Sequence, residues 1–116
     1  MTSESQAILD RLADILAEAP ERSERVMMGC LALFLRGHMV AAVDLSPARA
    51  GRVMFRVGPA RRAEALALPG TAPVRQGART MTGFVALERA DADLDGATFS
   101  RLAEMALDTV AALPEK

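Results

Sequence analysis

The sequence predicts an α+β fold: a two-layer sandwich with a mainly antiparallel sheet, one domain over residues 1–116, in the order α-β-β-β-α-β-β-α. Three observations carry this. Arg25 to Val43 is the longest apolar run, broken near its middle by Arg36-Gly37, which reads as a β-hairpin with a two-residue loop. Both ends of the chain carry apolar residues at helical spacing. Tight turns join consecutive strands, which pairs them antiparallel and leaves the helices to pack against the sheet.

The first helix spans Ser3 to Ala19, with Ser3 and Gln6 as a capping box and Ile8, Leu12, Ile15, Leu16 and Ala19 on its apolar face. Pro20 ends it. In the hairpin that follows, a two-residue loop sets Leu35 opposite His38, Leu33 opposite Val40 and Cys30 opposite Val43. One face then holds Leu31, Leu33, Leu35, His38, Val40 and Ala42. The other holds Met28, Cys30, Ala32, Phe34, Met39, Ala41 and Val43. Both faces are apolar, which is abnormal for an antiparallel sheet with one wet side. Either helices cover both faces or one face meets another chain.

Asp44 to Gly51 is a loop, and Arg52 to Val57 is a half-buried strand with Val53, Phe55 and Val57 on one side. Gly58-Pro59 opens a helix over Ala60 to Leu68 with Ala63, Leu66 and Ala67 inward; Pro69-Gly70 stops it. Pro73 to Gln76 reads as an edge strand, where Pro is tolerated, and Gly77-Ala78 turns the chain. In the strand Arg79 to Glu88, Met81, Val85 and Leu87 share one side. Gly83 marks a bulge or a close backbone approach. The acidic loop Arg89 to Gly96 leads to a last helix, Ala97 to Leu113, with Asp95 as N-cap and Phe99, Leu102, Ala106, Val110 and Leu113 as its stripe.

Composition narrows the function classes. With 51% hydrophobic and 25% charged residues the chain is globular. A net charge of −1 gives no global pull toward nucleic acid or an anionic membrane. A single cysteine excludes an internal disulfide, and the polar N-terminus shows no leader pattern, so a cytoplasmic protein is expected. No Trp or Tyr and four Phe leave little for stacking on bases. The apolar runs are too short and too interrupted to cross a membrane.

Four segments resemble the TfoX/Sxy N-terminal domain family. Met27-Met28-Gly29-Cys30 is similar to that family's Met-Phe-Gly-Gly entry to the hairpin. Arg56-Val57-Gly58-Pro59 followed by Ala65-Leu66-Ala67-Leu68-Pro69-Gly70 is similar to its strand-to-helix passage. Met81-Thr82-Gly83-Phe84-Val85 resembles its late Met-x-Gly-aromatic strand, and Ala111 to Lys116 resembles the close of its single-domain members. The segments occur in order across Ile8 to Lys116. The resemblance implies a two-layer fold with a mainly antiparallel sheet and a link to bacterial competence regulation. It implies no catalytic residues.

The chemistry-bearing residues are sparse. Cys30 and His38 are the only Cys and His, and the hairpin register sets them on opposite faces, too far apart for a nucleophilic pair. Cys30 reads as a buried inert thiol and His38 as a solvated or capping residue beside a turn. No further His or Cys exists to complete a metal site, and Glu88, Asp91, Asp93 and Asp95 lack the frame of a calcium loop. Met28, Phe34 and Met39 are the candidate partner surface, because methionine is over-used where a binding surface must adapt. Arg52, Arg56, Arg61 and Arg62 are candidate phosphate contacts in an Arg-rich middle segment.

The sequence therefore points to a non-enzymatic protein-interaction domain in transcriptional regulation, without cofactor, acting as a homodimer or with an unidentified protein partner. A phosphate- or nucleic-acid-contacting module is the alternative. A small-molecule binder with a pocket near Cys30, Phe34 and Met81 is a further one.

Overall fold

The computed structural model describes residues 1–114, so Glu115 and Lys116, which close the last family-like segment, lie outside the described residues. The elements are α1 (Ser3–Ile15), β1 (Arg22–Met27), β2 (Cys30–Leu35), β3 (His38–Asp44), β4 (Val53–Arg56), α2 (Arg62–Leu66), β5 (Thr71–Gln76), β6 (Arg79–Leu87) and α3 (Ala97–Ala111). Single 3-10 turns precede α2, β4 and α3. The strands form one antiparallel sheet in the order β1-β2-β3-β4-β6-β5. The α+β class and the hairpin at Arg36-Gly37 are as expected; the sheet has one strand more than the sequence pattern announces.

That strand is β1. Its residues Arg22 to Val26 are exposed, so no apolar alternation marks it. It turns into β2 through Met28-Gly29, as β2 turns into β3 through Arg36-Gly37. Each pair of loop residues has positive φ, 52° and 78° in the first and 52° and 82° in the second. Two-residue loops of this conformation match the twist of the flanking strands. The apolar run is thus one arm of one hairpin and the whole of the next.

The pairing of Leu35 with His38 is the expected one, but the register then slips. Leu33 lies opposite Ala41 and Cys30 opposite Asp44, because Val40 is an extra residue in β3. A bulge reverses the in-out alternation beyond it. Ala41 and Val43 consequently join Val40 in the helix-side core, and Ala42 moves to the other face.

The core lies between the sheet and α1 and α3. Ile8, Leu12 and Leu16 from the first helical segment meet Phe99, Leu102, Met105, Ala106 and Val110 from α3 and Val53, Phe55, Val57, Val85 and Leu87 from the sheet. Phe55 and Phe99 stack edge-on at 5.5 Å between centroids. Side chains tie the helices down. Ser5 Oγ donates to Asp44 O at 2.6 Å, Thr109 Oγ1 to Val57 O at 2.8 Å, and Arg36 Nη2 to Val110 O at 2.6 Å. The last of these satisfies a carbonyl in the final turn of α3.

Three local expectations change. The α1 N-cap is Thr2, whose side chain accepts from the Ser5 N–H. In α2 the buried residue is Ala65, while Ala63 and Ala67 are exposed. The α3 cap is supplied by Asp93, whose Oδ2 accepts from the Phe99 N–H at 3.1 Å, while the Asp95 carboxylate stands fully exposed near Arg11.

Candidate functional site

With α1 and α3 packed on one face, the other face of the sheet carries a second, smaller apolar cluster. Its buried members are Cys30, Ala32, Phe34 and Ala42, flanked by Met27, Met39 and Met54. In a flat sheet β1 and β5, at opposite edges, would lie about 24 Å apart, five strand spacings. Yet Gln76 Nε2 at the end of β5 donates to Met28 Sδ at 3.5 Å. The sheet is therefore curled, with its open face concave and its two edges meeting at one end.

The curl encloses a hollow of about 320 Å³. Met27, Met28, Met39, Met54 and Met81 line it with Phe84, Val74 and Cys30. Asp44, Arg49, Arg52, Arg75 and Gln76 supply its polar rim. Met81 and Phe84 reach the same hollow because β6 is irregular there. Pro73 faces Val85 while Arg75 faces Thr80, which leaves Met81 to Phe84 opposite Val74. Gly83 sits in that stretch, and its carbonyl accepts from the Gly58 N–H at 3.0 Å. Of the bulge or close approach read from Gly83, the irregular register is the one observed, since a Cβ there would make only an ordinary contact with Pro59 at 3.9 Å.

The candidate partner residues do not behave alike. Met28 is 78% exposed at the β1–β2 turn, and Met39 is half-buried in the hollow wall. Phe34 is only 8% exposed, lying beneath the Arg25 guanidinium, which stands 5.0 Å from its ring centroid. It is a floor residue of the apolar cluster, not a contact surface. The signal that would have shown this is Arg25, three residues before the hairpin turn, whose strand the sequence pattern does not reveal.

The four arginines are not one cluster. Arg52 is clamped between Asp44 at 3.1 Å and Glu88 at 3.5 Å, with its side chain 12% exposed. Arg61 pairs with Asp108 at 3.3 Å on α3. Arg56 lies at the other end of β4 from Arg52, and the Nε of Arg62 is buried without a hydrogen-bond partner among the described residues. The cations nearest the hollow besides Arg52 are Arg49 and Arg75, which the sequence reading did not single out for it.

Cys30 and His38 lie apart. Burial, and then the neighbouring Asp44 carboxylate, push the Cys30 thiol up from its ordinary pKa. Its Sγ donates to Asp44 Oδ1 at 3.7 Å. Held as the thiol, the group is in its least reactive state. His38, expected to be a solvated or capping residue, is not solvated: it is 7% exposed, its Nε2 donates to the backbone oxygen of Pro114, and its Nδ1 has no partner among the described residues. The segment after α3 covers it, a long-range contact that no local pattern announces. Among the described residues no group of three or more Cys, His, Asp or Glu is placed to hold a metal ion, and no helix is long and apolar enough to cross a membrane.

A family model for the TfoX N-terminal domain matches residues 14–110. The chain belongs to that family. The match takes in the whole sheet, both hairpin turns and α2, and all but the last residue of α3. Comparison with curated proteins and with solved structures gave no match. The methionine-lined hollow of this TfoX N-terminal domain is built entirely from residues inside the matched span.

Proposed function

We propose that this TfoX N-terminal domain is a non-enzymatic protein-interaction domain in transcriptional regulation of the competence type, the setting the family resemblance implies. One observation carries the reading: the concave face opposite the helices is a hollow walled by five methionines and rimmed by Arg49, Arg52 and Arg75. Methionine is flexible and polarisable, so such a wall adapts to inserted apolar side chains. The arginine rim favours a partner segment with acidic residues beside its apolar anchors. Cys30 in the hollow is held as the thiol by burial and by the Asp44 carboxylate its Sγ faces.

The test is affinity capture from the native cell with mass-spectrometric identification, repeated with Met28→Asp and with Arg61→Ala. Phe34→Asp is a poor choice, because burying a carboxylate there would unfold the cluster. The expected result is a partner lost with Met28→Asp and retained with Arg61→Ala. Capture that ignores both Met28→Asp and Met81→Asp refutes the reading.

A small-molecule binder is the second reading, favoured by the concave shape of the hollow and its volume of about 320 Å³, at the small end for ligand sites. It needs no cofactor. Saturable thermal stabilisation by a hydrophobic carboxylate, abolished by Arg49→Ala, supports it. Phosphate contact has less behind it, since Arg52 and Arg61 would have to leave their acidic partners. Absence of a mobility shift with nucleic acid at low salt disposes of that alternative.

A further inference from the structure

We propose that β1 is a self-pairing edge through which two copies of this chain join into one continuous sheet. The strand is uncovered: Arg22 to Val26 are exposed, and an open groove lined by Leu9, Leu16, Leu31 and Leu33 separates α1 from it. The opposite edge strand, β5, carries Pro73 and an irregular register, both of which spoil an edge for pairing. Among its own six residues β1 has neither Pro nor bulge.

The backbone polarity of β1 follows from the structure. The Arg36 N–H donates to Glu21 O, and Met27 and Cys30 close the two-residue turn. Odd-numbered residues of β1 therefore address β2. Arg22, Glu24 and Val26 turn their N–H and C=O groups outward, unpaired.

The side chains then select a register. Glu21-Arg22-Ser23-Glu24-Arg25 is a charge palindrome about Ser23. A two-fold axis at Ser23, normal to the sheet, sets Arg22 opposite Glu24 of the second copy, and Glu24 opposite its Arg22. These are the outward-facing residues, so both pairs exchange backbone hydrogen bonds, four in all. Glu21, which would come next opposite Arg25, precedes the strand in left-handed backbone with φ 52°, so the two Arg22–Glu24 pairs carry the register. An axis at Arg22, Glu24 or Arg25 would instead place each of those charges against itself, and one at Val26 pairs no opposite charges. Isolated charges on an edge strand discourage association. This arrangement discourages every partner except a second copy in one register.

The test is sedimentation equilibrium of the full chain at low salt. The wild type is expected to dimerise. Glu24→Arg and Arg22→Glu, both at exposed positions, should each raise the dimer dissociation constant by about tenfold or more, since each turns two attractive cross-strand pairs into repulsive ones. The double variant Arg22→Glu/Glu24→Arg restores the complement and should bring the constant back to within about threefold of wild type. A second arm reads the register directly. In a Cys30→Ala background, Ser23→Cys should oxidise to a covalent dimer and Val26→Cys should not, because only residue 23 faces itself across a narrow non-hydrogen-bonded pair. A strict monomer at high micromolar concentration overturns the proposal, as does a dimer indifferent to Glu24→Arg or a double variant that fails to recover. The partner face proposed above shares Met27 with β1 but is read by its own capture experiment with Met28→Asp, so the two readings fail separately.

Discussion

Gly96 gives a sharp test of how the C-terminal helix begins. Its φ is −83° and ψ 165°, ordinary extended backbone, so alanine costs nothing there intrinsically. A Cβ at that position would, however, sit 1.7 Å from the Asp93 Oδ1. The carboxylate would have to swing away and release the Phe99 N–H that its other oxygen holds at 3.1 Å. Loss of a helix cap costs about 1 kcal/mol, and loss of a negative charge at the helix N-terminus about 0.5 more. Replacing Gly by Ala returns about 0.5 kcal/mol through the unfolded chain. Asp93→Ala should then cost about 1.5 kcal/mol and Gly96→Ala about 1. The double variant has no carboxylate left to displace, so it too should cost about 1 kcal/mol, well short of the roughly 2.5 expected if the effects added. Urea unfolding followed by circular dichroism at 222 nm measures this; the chain has no Trp or Tyr for fluorescence. Independent, additive costs would show that Asp93 does not cap α3 through the space above Gly96.

Further outcomes follow from the same geometry. Ser5→Ala removes the 2.6 Å hydrogen bond to Asp44 O and leaves a buried carbonyl unpaired, so stability should fall by about 1–2 kcal/mol in urea. Cys30, buried in the wall of the hollow and with its pKa raised, should react with a thiol reagent more slowly at neutral pH than the unfolded chain does and faster as pH rises, and labelling as fast as in the unfolded chain would contradict its placement. The hydrogen bond from Arg89 holds the Asp91 carboxyl below its usual value. A depressed folded-state value means the contribution is present above the unfolded carboxylate pKa of about 4 and is lost as pH falls below it. Arg89→Ala should therefore flatten that part of the acid-stability profile by lowering stability slightly at neutral pH and leaving the acid end unchanged, a small effect because the Arg89 end of the pair is exposed.

The two helical stripes, the strand at Val53-Phe55-Val57 and the turn at Arg36-Gly37 were legible in the residues, because each is written in short-range spacing. The abnormal greasiness of both sides of the hairpin was legible for the same reason, and so was the placement of Met28 and Met39 beside each other on one side of it. Which other residues share that face was not. One extra residue, Val40, inverts the pattern beyond it, and a bulge leaves no mark in a run where every side chain is apolar. Phe34 lies on the expected face, but its cover, Arg25 of β1, was not legible because that strand shows no apolar alternation.

Local periodicity thus determined the class of fold and the segments that pack inward. Folding in three dimensions alone set the helices on one side, curled the sheet until Gln76 met Met28, and drew Arg52 between Asp44 and Glu88. The reason is physical. Spacing along a chain reports which side of an element prefers to avoid water, but sheet curvature and ion-pair partners depend on residues tens of positions apart, whose meeting is fixed only when the whole core closes.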